Sequence, residues 1–191
     1  MKKTFVVLLM LHLPFALVSA DETAPLVDEG KTVIMAFFGD LKGELVKGMK
    51  EGGPVHSIDV CHKIAPNLSE AHSQISGWQV ARTSLKIRNL KNAPDAWELG
   101  VLQTFEARKA AGEEPEKLLF AEIVEENGGK VFRMMKAIPT AEICTACHGT
   151  EITPAVAAKL DELYPEDQAR GFKVGDLRGA FTLKKTLPDS P

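Results

Sequence analysis

Five consecutive residues, Cys144-Thr145-Ala146-Cys147-His148, set two thiols and an imidazole within one short stretch of chain. That spacing is the c-type haem attachment pattern, in which two thiols add to haem vinyl groups as thioethers and the adjacent imidazole reaches the iron. Two intervening residues let one local turn present both sulfurs to the same macrocycle edge, while His148 falls on the proximal face. A single such pattern implies one covalently attached haem c. Two other uses of a Cys-x-x-Cys pair compete with it. A thioredoxin-like redox pair opens a helix after a strand in a βαβ unit, which this sequence lacks, and a zinc site needs two further ligands at close spacing.

Haem iron has a second axial position, and methionine, histidine and thiolate all serve there. The candidates are Cys61, His56, His62, His72, Met134 and Met135. His56 falls beside Asp59 and Lys63 on a polar face, and His72 lies among Glu70, Ser73 and Gln74, so both are expected to be solvated. His62 sits one residue off the inward face of its helix and stays in reserve. Met134 and Met135 fall in the middle of an expected strand, where a core role is the commoner outcome for methionine. Cys61 is the best placed. Spacing alone leaves it divided evenly between iron ligand and buried structural thiol.

The elements that position these residues follow from periodicity. Ile34, Phe37, Phe38, Leu41, Leu45 and Met49 obey helical spacing and predict an amphipathic helix over 27–51, closed by Gly52-Gly53. Pro54 then opens a second helix as its first residue, with Ile58, Cys61, Ala65 and Leu68 on one face and an interruption at Pro66. Strand formers run from Gly77 to Arg88, and Asn89, Asn92 and Pro94 turn the chain into a third helix with Trp97, Val101, Leu102 and Phe105 as its buried stripe. Two strands, 118–126 and 130–138, flank the hairpin signal Asn127-Gly128-Gly129. A short turn or helix carries the cysteines. Thr153-Pro154 starts a last helix through Val156, Leu160 and Leu163, stopped by Pro165, and 177–185 supplies a final strand. Helices leading into a small antiparallel sheet make an α+β domain.

The N-terminus reads as an export signal. Lys2 and Lys3 precede an apolar run of about 14 residues, short of the roughly 20 that span a bilayer, and Val18-Ser19-Ala20 suits a signal peptidase. The expected division is a signal peptide at 1–20 and one haem domain at 21–191, with a periplasmic or secreted location and no transmembrane anchor after cleavage. Losing the two lysines takes the formal charge from −3 to −5, which argues against nucleic acid as a partner. All three cysteines lie in the exported part, and three thiols in an oxidising compartment cannot all pair within one chain.

Four stretches together carry a family resemblance: Val60-Cys61-His62-Lys63-Ile64-Ala65-Pro66; Arg82 to Asn89 with Asn92-Ala93-Pro94-Asp95-Ala96-Trp97-Glu98; Cys144 to His148; and Asp176-Leu177-Arg178-Gly179-Ala180-Phe181. Over nearly the whole mature length the chain resembles the PAS-like single-haem c-type domains found as a cyanobacterial haem protein and as extracytoplasmic sensor parts of bacterial histidine kinases. The resemblance implies a PAS-like antiparallel sheet flanked by N-terminal helices. It also implies iron ligated by histidine and cysteine, which assigns Cys61 to the face opposite His148. It implies no particular activity. No kinase region follows, so a fused signalling output is not expected.

Arg82, Lys86 and Arg88 are candidate contacts for the haem propionates, Arg82 and Arg88 foremost; a plain solvated strand face with Asn89 and Asn92 holding a turn is the alternative. Three roles are carried forward. The first is a redox or diatomic-gas sensor or binding protein in which Cys61 leaves the iron on reduction and a ligand such as nitric oxide or carbon monoxide enters. The second is a low-potential electron carrier that keeps both ligands and serves a redox partner protein. An enzymatic role ranks last, because no distal His and Arg pair stands near Cys61.

Overall fold

A computed structural model describes residues 20–188; the expected signal segment, residues 1–20, lies outside the described residues but for its last, Ala20. The first element, α1 (Ala20–Ser76), is two helical limbs joined at Gly53, whose φ of 70° and ψ of −164° break the helical run. Only glycine takes that conformation without a Cβ penalty. Pro54 follows as the first residue of the second limb, where its missing N–H costs nothing. The limbs fold back on each other: His72 bonds Asp40 at 2.9 Å and sits 5.5 Å from the Phe37 ring. Close to the bend a Cβ on Gly48 would lie 3.1 Å from Ser57 Oγ. The expected boundary at residue 27 is therefore too late, since the helix already runs from Ala20, and Pro66 does not end it. Ala65, 5% exposed, and half-buried Leu68 anchor the limb on either side of that proline, and their packing offsets the lost backbone bond.

Four strands follow: β1 (Gln79–Thr83), β2 (Leu119–Glu126), β3 (Gly129–Pro139) and β4 (Leu177–Thr186). They form one antiparallel sheet in the order β1-β4-β3-β2, so the last strand fills the gap between the first and third. Asn127 (φ 54°) and Gly128 (φ 81°) make the tight turn between β2 and β3. Both faces of the sheet are covered. Ile34 and Phe37 of α1 pack on Val80, Phe132, Met134, Phe181 and Leu183. On the other face α2 (Ala96–Ala110) places Val101, Leu102 and Phe105 against Met135, Ala137, Leu177 and Ala180. Successive side chains of a strand point to opposite faces, so Met134 and Met135 enter opposite cores. Asp95 caps α2 by accepting from the Glu98 N–H at 2.8 Å, while the Glu98 carboxylate accepts from the Asp95 N–H at 3.0 Å.

Two short helices complete the α+β domain: α3 (Glu142–His148) and α4 (Pro154–Leu163), the latter capped by Thr153. Among the described residues no helix is long and apolar enough to cross a membrane.

Candidate functional site

The cysteine motif forms the body of α3, with Cys144, Cys147 and His148 all half-buried. The helix stops at His148 because the chain then pairs with a later segment. The Phe172 N–H donates to the His148 carbonyl, and the Gly171 N–H to the Gly149 carbonyl, both at 2.9 Å. That zipper brings Ala169 beside the imidazole, and Nδ1 of His148 lies 2.8 Å from the Ala169 carbonyl oxygen. A carbonyl only accepts, so Nδ1 carries the proton. On the other ring nitrogen, Nε2 faces Arg88 Nη1 at 3.4 Å, while Arg178 Nε lies against the ring, 3.2 Å from Nδ1 and 3.4 Å from Nε2; the shorter 2.8 Å contact with the Ala169 carbonyl decides where the proton sits. Guanidinium groups only donate, so Nε2 presents its lone pair. Burial first, then the charges of Arg178 and Arg88, hold the imidazole's pKa well below 6.5, which keeps His148 neutral. A neutral imidazole with Nε2 free is the form that binds a metal.

Cys61 lies on the second limb of α1, one turn after Ile58. Ile58, Val156 and Leu160 make a small core on which Cys147 and Tyr164 both rest. Ile58 of the Cys61 limb and Cys147 of α3 therefore meet at one apolar cluster. Burial pushes the Cys61 thiol up, while Arg82 and Arg88 pull it down. Cys147 is likewise raised by burial, opposed by Arg88, and raised further by Cys61 and Cys144. The three cysteines share one electrostatic neighbourhood, and all three are free thiols. Among the described residues no three His, Cys, Asp or Glu side chains converge as a closed zinc cage would need.

The basic residues divide into two kinds. Arg88 spends its donors within the protein: Nε and Nη2 on the two oxygens of Asp167 at 3.1 and 3.2 Å, and Nη2 also on the carbonyls of Cys147 (2.6 Å) and Ala169 (3.1 Å). Lys86 donates to the Arg170 carbonyl and stands 4.7 Å from the centre of the Phe172 ring. Arg82 differs: half-buried beside the Phe37 ring at 5.9 Å, it has no hydrogen bond or ion pair among the described residues. Burial lowers its pKa, and Cys61 and Tyr164 raise it. Arg178, which spacing did not single out, donates to Ser84 Oγ (3.2 Å) and to the Lys86 carbonyl (3.3 Å). Burial, then Arg88 and Arg82, bring its pKa down to about 10. Gly179, at φ 156°, lets β4 come close to β1 just after that arginine, for a Cβ there would fall 2.3 Å from the Thr83 carbonyl oxygen.

The remaining ligand candidates disperse. Met134 and Met135 are fully buried in the two cores. His56 is exposed and pairs with Glu51 at 3.6 Å. His72, expected in solvent, instead has a side chain only 14% exposed, because the other limb of α1 covers it with Phe37 and Asp40. His62 is exposed at the margin of the site with its ring edge-on to Tyr164 at 5.1 Å. Sequence reasoning missed Asp167, Ala169 and Tyr164 altogether. Arg178 had a signal, its place in the Asp176–Phe181 stretch.

The α+β domain thus gathers a Cys-x-x-Cys-His helix, a thiol on α1 and a knot of arginines. The chain belongs to the Tll0287-like family, whose profile matches residues 17–185. Its fold is similar to that in the crystal structure of the cyanobacterial heme-protein Tll0287, at a TM-score of 0.60 and 23% identity over 91% of this chain and 98% of that one. No curated protein matches the sequence.

Proposed function

We propose that this protein binds one haem c, held by thioether bonds from Cys144 and Cys147 and ligated by His148 and Cys61, and acts outside the cytoplasm as a redox or diatomic-gas sensing domain. The observation that carries the reading is His148: a neutral imidazole with Nε2 unprotonated, at the end of the helix that also bears both thiols. The remaining donors fit the same group. Cys61 stands on α1 within the field of Arg82 and Arg88, and Arg88 and Arg82 act in turn on Arg178, while Asp167, its side chain 1% exposed, pairs with Arg88 and Arg170. The surplus positive charge suits the two propionates of a haem, with Arg82 the group free to meet one. Similarity to a heme-protein supports the reading from outside the site. The PAS-like description of the sheet draws support from the β1-β4-β3-β2 order.

When bound, the haem supplies a one-electron iron couple and an axial position for a small ligand. The chain sets how that couple behaves. His148 gives a lone pair fixed in direction by the Ala169 carbonyl. Cys61 as thiolate adds negative charge that favours the oxidised state, and Arg82 and Arg88 reduce the cost of burying that charge. Were the bound haem reduced, a thiolate would be held less tightly, and the second limb of α1, which carries Cys61, is the element that its release would free. A low-potential electron carrier is the second reading. Ile58, only 4% exposed between Val156 and Leu160, ties the Cys61 limb to α4 and favours keeping the ligand in both states.

Optical and electron paramagnetic resonance spectra of the haem-loaded wild type and of Cys61→Ala, oxidised and then reduced with and without carbon monoxide, test both. A low-spin thiolate signature lost in the variant, with carbon monoxide taken up on reduction, supports the sensor. Thiolate retained on reduction with no uptake supports the carrier. Spectra unchanged in Cys61→Ala overturn the cysteine ligation.

A further inference from the structure

Asp167 lies 19 residues beyond His148, yet every hydrogen bond it accepts leads towards that imidazole or braces the segment that does. Its Oδ1 accepts from Arg88 Nε (3.1 Å) and from the Ala169 N–H (2.9 Å). Its Oδ2 accepts from Arg88 Nη2 (3.2 Å) and Arg170 Nε (2.9 Å). The Ala169 peptide is thus gripped at both ends, by Asp167 at its own N–H and by Arg88 at its carbonyl oxygen. Arg88 ties the same carboxylate to the Cys147 carbonyl at the end of α3. With its side chain 1% exposed, Asp167 has no water to replace these partners.

We propose that Asp167 is a positioning residue for His148: through Arg88 and the Ala169 peptide it holds the carbonyl that fixes the imidazole as the Nδ1–H tautomer, with Nε2 aimed at the metal position. The use of that lone pair rests on the haem reading above; the tautomer does not. Outer-sphere partners of metal-bound histidines orient the ring and raise its basicity, and removing one typically weakens ligation about 10–100-fold. An ordinary buried ion pair in this place would hold the fold together without choosing between ring nitrogens.

Asp167→Asn separates the two roles, because the amide keeps the shape but offers N–H groups where two of its four donors now point. Arg170→Gln is the control, since it removes a cation from the same carboxylate and leaves the Arg88 and Ala169 arm intact. Nitrogen-15 spectra of the histidine rings, recorded on the full chain without haem, report which nitrogen of His148 carries the proton. The expected result is a single Nδ1–H form in the wild type and in Arg170→Gln, and a mixture with the Nε2–H form in Asp167→Asn. In the haem-loaded protein, added imidazole is expected to displace His148 at a concentration about 10–100-fold lower in Asp167→Asn than in Arg170→Gln. A folded Asp167→Asn with the wild-type tautomer, or an equal change in both variants, overturns the proposal. If Asp167→Asn does not fold, Arg88→Lys decides, for it keeps the charge but cannot span from Asp167 to Ala169; a wild-type tautomer there is equally fatal. A wild type that takes up no haem would sink the haem reading and leave the tautomer result standing.

Discussion

Arg178 places its Nε against the His148 ring, 3.2 Å from Nδ1 and 3.4 Å from Nε2, so a cation held by Ser84 and the Lys86 carbonyl stands beside the imidazole expected to meet the iron. At a pKa of about 10 the guanidinium is charged at neutral pH. A fixed positive charge there opposes the extra positive charge of oxidised iron and so raises the reduction potential. Arg178→Gln should lower the midpoint potential of the loaded protein, by an amount on the order of 3 kcal/mol for unit charges roughly 5 Å apart screened by an effective dielectric near 20. A redox titration of both proteins checks it, and an unchanged or raised midpoint contradicts the placement of His148 at the iron.

Arg82 gives a prediction of a different kind, because it holds no hydrogen bond or ion pair among the described residues. Its value to the folded chain is small, and Arg82→Gln should leave the stability of the haem-free chain within about 0.5 kcal/mol. Its value to an anionic partner is larger. The haem-loaded form should lose more stability than the haem-free form does, measured as the gap between their urea midpoints. Equal losses in both forms would remove Arg82 from the propionates.

Much of this site was legible because its chemistry is local. Cys144, Cys147 and His148 are neighbours in the chain, and Gly52-Gly53-Pro54 marks the bend in α1 by backbone preference alone. Asp167 was not legible, since its partner Arg88 lies in a distant loop joined to it by the Gln168 N–H on the Ile87 carbonyl, and no periodicity records such pairing. The same limit governs the sheet. Each strand could be read from its residues, but that β4 lies between β1 and β3 is a property of three distant segments. Phe38 shows a subtler failure: its helical spacing predicted burial, yet it is 43% exposed, because Phe37 takes the position facing the sheet and leaves Phe38 only its edge against Phe181.

Acid should unfold this protein through carboxylates paired in the native state. Burial pushes Asp95 up, but the Glu98 N–H, Arg133 and Lys184 outweigh it and hold its pKa below 3.8. Lys185 and Trp78 lower Glu29, and Lys109 with the Lys173 N–H lowers Asp176. The unfolded chain takes up these protons near pH ~4 while the folded one resists, so their stabilisation is complete above that region and is lost as pH falls through the depressed native values. Urea midpoints followed from pH 7 down to 3 should hold level and then decline. Asp95→Asn should be less stable at neutral pH and show a shallower acid decline, and an equally steep limb would remove Asp95 from the cause.

Two glycines of α1 should respond in opposite directions to an added side chain, and the contrast tests whether the limbs of this helix pack as a hairpin. Gly39 has nothing within 4 Å of the position its Cβ would occupy. There Gly39→Ala meets no neighbour and gains helix propensity, worth up to about 1 kcal/mol. Gly48 faces the second limb, where a Cβ would stand 3.1 Å from Ser57 Oγ and 3.3 Å from Ser57 Cα. Gly48→Val adds two methyl groups to that contact and should cost roughly 1–3 kcal/mol by overpacking. Because Ser57 adjoins Ile58 one turn before Cys61, the displaced limb carries the thiol with it. Gly48→Val should therefore also weaken the thiolate signature of the loaded protein, whereas Gly39→Ala should leave it untouched. Thermal or urea midpoints read the first effect and electron paramagnetic resonance the second. A stabilised Gly48→Val with a full thiolate signal would mean that the limbs do not close on each other and that Cys61 reaches the site by another route.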